Sequence, residues 1–163
     1  MKTKSRMLAF CTGLTLLLFT TAGNISAASF PELFPLDTLE GKKLKKDELK
    51  GKWLVMVFWA NWCIPCRKEV SQINELFTKW SAKGFQFVGI NEDEDPKAAR
   101  HFIKRYHPLY PNVEDHDFKF ATRMKVQSLP MVLVLSAEGE ILFRGIEAPS
   151  NEQLEQLFNR HIS

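Results

Sequence analysis

The chain has 163 residues, 45% of them hydrophobic and 25% charged, a balance that suits one globular domain with a substantial core and excludes a disordered chain. Its formal net charge of +3 sits at one end: residues 1–28 carry Lys2, Lys4 and Arg6 and no acid, which leaves residues 29–163 with 19 bases, 19 acids and no net charge. No basic footprint for nucleic acid remains, and no nucleic-acid partner is expected.

Residues 1–28 have the layout of an export signal. The basic start is followed by an apolar run from Met7 to Phe19 and then by Ser26-Ala27-Ala28, small residues where a signal peptidase could cut. The run is broken by Thr12, Gly13 and Thr15 and is shorter than the roughly 20 residues that span hydrocarbon, so cleavage is expected rather than a retained membrane anchor. Cys11 lies within it, but bulky Phe10 stands where a lipoprotein cleavage site needs a small residue, and lipidation is not expected. The domain proper is then 29–163, located in the periplasm or cell envelope.

Downstream, the apolar segments alternate in kind, as a mixed α/β domain requires. Phe30 to Lys52, with Leu33, Phe34, Leu36, Leu39 and Leu44 around Glu40-Gly41, predicts a short hairpin against the core. Trp53 to Trp59, WLVMVFW, is a continuous apolar run suited to a central strand covered on both faces. From Cys63 a helix is predicted, with Pro65 in its first turn, Val70, Ile73, Phe77 and Trp80 at helical spacing, and Gly84 ending it.

Phe85 to Ile90 predicts a second buried strand and Pro96 to Tyr106 a helix with Ala99, Phe102 and Ile103 inside, which completes a βαβ unit. Val113 marks a short strand and Phe118 to Met124 a short helix. Met131 to Leu135 and Ile141 to Arg144 flank Ala137-Glu138-Gly139, a hairpin signal. Ser150-Asn151-Glu152-Gln153 is a capping box that opens a helix with Leu154, Leu157, Phe158 and Ile162 inside.

The segment FWANWCIPCRKE holds Cys63 and Cys66, the two cysteines downstream of the leader. Two intervening residues close too small a loop to staple distant elements, because disulfide stabilisation grows with loop length in the chain-entropy picture. A CxxC pair where a strand meets a helix in a βαβ unit points instead to redox chemistry. Such chemistry needs a thiolate, and a free thiol with a pKa of about 8.5 is mostly protonated at neutral pH. Cys63 at a helix N-terminus would gain from unpaired N–H groups and the helix dipole, so it is expected to be the exposed nucleophile, with Cys66, one turn in, the sheltered resolving thiol.

WCIPC together with Leu129-Pro130 before the hairpin resembles the two halves of a thioredoxin active site, the second of which supplies a cis-proline opposite the cysteines. FPLDTLEGKKLKKDELKGKW, the WCxPC motif, the separation of 39 positions between Asn91 and Pro130 and the segment YPNVEDHDFKFATRMKVQSLP narrow this resemblance to the exported TlpA/ResA-like thioredoxins, the branch that includes cytochrome c maturation reductases. The resemblance implies a thioredoxin fold, a central mixed sheet flanked by helices, with an N-terminal hairpin and a central strand-helix insert. It also implies an exported thiol-disulfide oxidoreductase with a redox-active Cys63–Cys66 pair and no cofactor or metal.

Its partners would be disulfide-bearing exported proteins, such as apocytochrome c or copper-site proteins, and an integral membrane electron donor. Strongly oxidising relatives carry a histidine between the cysteines; Ile64-Pro65 lacks it, which favours a reductase. By the same resemblance Trp62, Ile64, Pro65, Leu129 and Pro130 form an apolar rim for a substrate segment, whereas Trp53, Trp59 and Trp80 are expected in the core. A peroxiredoxin-like thiol peroxidase and a copper-binding metallochaperone are the alternatives. FWANWC lacks the threonine of the peroxiredoxin PxxxTxxC motif, and the copper chaperones on this fold space their cysteines differently and add a histidine.

Two positions depart from the thioredoxin pattern. Val57 stands where thioredoxins bury an aspartate six positions before the first cysteine, and Met131 stands where a threonine often follows the cis-proline, altering either the substrate-facing surface or the packing. Glu69, in the CxPCxxE position of this branch, is either the proton acceptor for Cys66 in place of the missing aspartate or a solvated charge. His101, His107, His116 and His161 are expected in solvated or capping roles, and Glu92-Asp93-Glu94-Asp95 before a helix N-terminus rather than on a metal.

Overall fold

The computed structural model describes residues 36–161; the leader at 1–28, Phe30, Leu33 and Phe34 of the anticipated hairpin, and Ile162 of the last helix lie outside them. Strands β1 (Leu36–Asp37) and β2 (Lys43–Leu44) pair antiparallel, with Gly41 at φ 79° in the turn. A helix, α1 (Lys46–Leu49), follows where only hairpin was expected. It is one turn long, seated by buried Leu49 and closed by the Glu48 carboxylate accepting the Lys45 N–H at 2.6 Å. So short a helix leaves no periodicity to read.

The chain continues through β3 (Leu54–Trp59), α2 (Ile64–Ser81), β4 (Gln86–Asn91), α3 (Pro96–Tyr106), β5 (Asn112–Glu114) and α4 (Lys119–Arg123). The end of the described chain is β6 (Met131–Leu135), β7 (Ile141–Gly145) and α5 (Asn151–His161). The five-stranded sheet runs β5-β4-β3-β6-β7, with β3, β4 and β5 parallel, β6 antiparallel to β3, and β7 antiparallel to β6. This is the thioredoxin fold, and β5 with α4 is the expected insert.

β3 is apolar throughout because it is central and both its faces are covered. Leu54, Met56 and Phe58 pack with Leu44, Leu49, Phe120 and Met124 on the side of the hairpin, α1 and α4. Val55 and Val57 face Ile73, Leu76, Trp80 and Leu154 of α2 and α5. Each fully buried large side chain contributes about 1.5–3 kcal/mol by removing apolar surface from water. The capping box of α5 forms as expected, with Ser150 Oγ taking the Gln153 N–H at 3.2 Å and Gln153 Oε1 the Ser150 N–H at 2.8 Å.

Two buried indoles keep their N–H groups satisfied and tie elements together. Trp80 Nε1 donates to Asn151 Oδ1 at 3.0 Å, joining α2 to α5. Trp59 Nε1 donates to Asn112 Oδ1 at 3.0 Å, and Asn112 Nδ2 donates to Glu40 Oε1 at 3.2 Å, which seats the hairpin turn on β5. That network crosses β4 at Gly89, where an added Cβ would fall on Asn112 Oδ1 and Trp59 Nε1. Gly89→Ala should therefore cost about 1–3 kcal/mol through overpacking, read as a lower urea midpoint with an unchanged slope; an unchanged midpoint would mean the network yields freely.

Candidate active site

The strand β3 ends at Trp59, and the chain turns through Ala60, Asn61 and Trp62 before α2 begins. The Cys63 N–H closes that turn on the Ala60 carbonyl at 3.1 Å. Cys63 is the N-cap of α2 rather than its first residue, with φ −75° and ψ 101°. Its Sγ accepts the Cys66 N–H at 3.2 Å, the role that a Ser or Asp oxygen usually takes at this position. Pro65 follows in the first turn, where a missing N–H leaves no intrahelical bond unmade.

Cys63 and Cys66 are joined by a disulfide. Both are only 3% exposed, so the expected contrast between an exposed Cys63 and a sheltered Cys66 is absent in this oxidised state. They lie with Trp59, Ala60, Val70, Ala99 and Phe102 in a small apolar cluster between α2 and α3. The asymmetry that does exist is positional: Cys63 sulfur sits at the positive end of α2, and Cys66 lies inside its first turn.

What is exposed is the rim. Trp62 and Ile64 are 65% and 63% exposed, in contrast to Trp53, Trp59 and Trp80, which are buried as expected. Ile64, Pro65, Glu69, Leu129 and Pro130 line one open groove of about 530 Å³, and the Leu129–Pro130 peptide bond is cis, as the resemblance implied. The groove also contains Ile146, 62% exposed, in the loop after β7. That residue was not foreseen, because it follows a strand end with no motif to mark it.

Glu69 is half-buried rather than on a solvated face. Its Oε2 accepts the Ala148 N–H at 2.8 Å, and Gln72 Nε2 donates to the Ala148 carbonyl at 3.2 Å, so α2 grips the loop that carries Ile146 from both sides. The Glu69 charge also reaches Tyr110: burial first, and that charge second, drive the tyrosine phenol above its ordinary range. Val57 is buried among apolar residues, leaving no acid on β3 below the cysteines. Met131 is buried with Leu133 and Phe58, which resolves its departure from threonine as packing.

The acidic run divides. Asp95 caps α3, its Oδ1 accepting the Lys97 N–H at 2.9 Å, as expected of an acid before a helix. Asp93 is buried and takes the Asn61 N–H at 2.8 Å, a tie to the active-site turn that the sequence did not reveal. Among the histidines, His107 is the left-handed C-cap of α3 and His161 Nδ1 lies 2.8 Å from the Leu157 carbonyl. Among the described residues no three His, Cys, Asp or Glu side chains gather as a metal cluster.

Glu92 is the strained member of the run. Its Oε1 is buried without a hydrogen-bond partner among the described residues, and burial first, then the charge of Asp115, push its carboxyl up to about 7. The folded state therefore holds a proton that the unfolded chain releases above its ordinary 4.5, and stability falls as pH rises from there through about 7. Glu92→Gln should gain about 1 kcal/mol at about pH 8, the full shift being discounted because the side chain is only part-buried, and nothing near pH 4.5. Thermal unfolding at the two pH values checks this, and an equal gain at both would contradict it.

Residues 27–144 match the AhpC/TSA family. The thiol-disulfide oxidoreductase ResA of Bacillus cereus is 34% identical over 122 residues, covering 75% of this chain and 70% of that protein. ResA of Bacillus subtilis is 29% identical over 151 residues, covering 85% and 84%. Among solved structures, a secreted Mycobacterium tuberculosis disulfide oxidoreductase homologous to Escherichia coli DsbE superposes with a TM-score of 0.66 at 25% identity, covering 82% of this chain and 99% of its own. StoA from Bacillus subtilis gives 0.65 at 25% identity, covering 77% and 95%.

Proposed function

Because the chain belongs to the AhpC/TSA family, and within it to the ResA-like thiol-disulfide oxidoreductases, we propose that it works as a disulfide reductase on exported proteins of the cell envelope. The observation that carries this reading is the Cys63–Cys66 disulfide at the N-terminus of α2, opening beside an apolar groove.

In the reduced protein the Cys63 thiolate attacks one sulfur of a substrate disulfide. A Cys63–substrate mixed disulfide forms and the first substrate thiolate leaves. Cys66, deprotonated in turn, attacks Cys63 Sγ, which forms the Cys63–Cys66 bond and expels the second substrate thiolate. Two electrons pass from the chain to the substrate; the Cys66 proton, passed on through Glu69, and one proton from solvent, replacing the one Cys63 released on ionising, end on the two substrate thiols. Trp62, Ile64, Pro65, Leu129 and Pro130 hold the substrate segment, and Glu69 takes the Cys66 proton, the role left open by Val57.

The direction follows from the absence of a charged or imidazole side chain at Ile64-Pro65 to stabilise the reduced thiolate further. The leader at 1–28 delivers the domain 29–163 to the periplasm or envelope, an oxidising compartment in which a reductant must be recharged by a membrane electron donor. Apocytochrome c or copper-site proteins are the substrates this branch suggests. No helix among the described residues is long and apolar enough to cross a membrane.

Cys66→Ala should stall the cycle at the mixed disulfide. Non-reducing gels of envelope extract should then show adducts that vanish with dithiothreitol and in the Cys63→Ala, Cys66→Ala double variant. No adducts, with stoichiometric copper bound by the intact protein, would move the chain to the metallochaperone class. Glu69→Gln should shift the Cys66 titration to lower pH by removing a negative charge, without changing Cys63; an unshifted titration with lowered stability would leave Glu69 only its bond to Ala148.

A further inference from the structure

Two side chains outside the groove hold the turn that leads into the cysteines, and the exchange chemistry above uses neither. Asp93 lies two residues beyond β4 and is 6% exposed, although Glu94 and Asp95 beside it are exposed. A buried carboxylate is costly unless hydrogen bonds satisfy it. Asp93 Oδ2 accepts the Asn61 N–H at 2.8 Å and Asn91 Nδ2 at 2.8 Å, and the Asp93 N–H donates to Asn91 Oδ1 at 3.3 Å.

The other backbone group of Asn61 is held by a second side chain. Its carbonyl accepts Arg67 Nη2 at 2.7 Å and Nε at 3.3 Å, from the second turn of α2. Asn61 is thus fixed at its N–H by an anion and at its carbonyl by a cation. It lies inside the Ala60–Cys63 turn, so its orientation sets where Cys63 leaves the turn and caps the helix.

We infer that Asp93 and Arg67 are positioning residues for Cys63: by clamping Asn61 they keep the Cys63 sulfur on the Cys66 N–H. The inference rests on the reading of Cys63 as the nucleophile. A thiolate held on that N–H is stabilised by it and by the helix dipole, and a turn free to rotate would let the sulfur leave both. The Asp93 charge alone acts the other way, since a nearby anion disfavours a thiolate. Geometry and charge therefore predict opposite effects of removing the side chain.

The test is the alkylation rate of Cys63 by iodoacetamide at neutral pH in the reduced full chain, located by peptide mass mapping so that Cys11 and Cys66 are counted apart. Asp93→Ala should slow Cys63 about three- to tenfold, the worth of roughly one net hydrogen bond. Asp93→Asn keeps an acceptor for Asn61 and should restore at least the wild-type rate. Asp95→Ala, which removes only the α3 cap, should lower thermal stability and leave the Cys63 rate unchanged.

Arg67→Lys, at a half-buried position, keeps the positive charge but loses the two-point contact on the Asn61 carbonyl; it should also slow Cys63 and keeps the test readable if Asp93→Ala fails to fold. Faster alkylation in both Asp93 variants would assign the effect to charge and overturn the clamp. So would an Asp93→Ala rate no lower than that of Asp95→Ala. A Cys63 that forms no mixed disulfide with a protein disulfide in the Cys66→Ala chain would instead remove the nucleophile reading, and the clamp's purpose with it.

Discussion

The Cys66 N–H pointing at the Cys63 sulfur is the contact around which this chain is arranged. It exists because Cys63 stops short of the helix and caps it, and that depends on a turn of fixed shape between β3 and α2. The turn in turn depends on β3 being immovable, paired on both edges and packed on both faces. A sulfur in this place meets the unpaired N–H groups of the first helical turn, where a negative charge is favoured. The rest of the sheet positions that one sulfur.

Polarity is distributed around the pair rather than beneath it. Val57 leaves β3 without an acid below the cysteines, and the carboxylates stand to the sides. Glu69 is on α2, bonded to the loop that forms a wall of the groove, and Asp93 is beyond β4, bonded to the turn. Both sulfurs are buried in the oxidised state, whereas Trp62, Ile64 and Ile146 around them are exposed.

Features set by local chemistry were legible in the sequence. WLVMVFW announced a strand covered on both faces, Ser150 to Gln153 announced a helix start, and WCIPC with Leu129-Pro130 located the groove. Features set by distant contacts were not. Nothing in an acidic run distinguishes Asp93 from Asp95, yet one is buried against Asn61 and the other caps α3 in solvent. Glu69 could not be assigned a burial before Ala148, 79 residues away, was placed beside it. Helix α1 was missed because four residues are too few for a period, and the equal burial of the two cysteines depends on α3 closing over them.

The claim that the helix start activates Cys63 is tested most directly by its reactivity in the reduced protein. At neutral pH the rates of iodoacetamide alkylation of Cys63 and Cys66 would be measured against free glutathione, whose thiol is mostly protonated there. The account predicts that Cys63 reacts faster than glutathione and Cys66 more slowly. A Cys63 no faster than glutathione, or slower than Cys66, would contradict it.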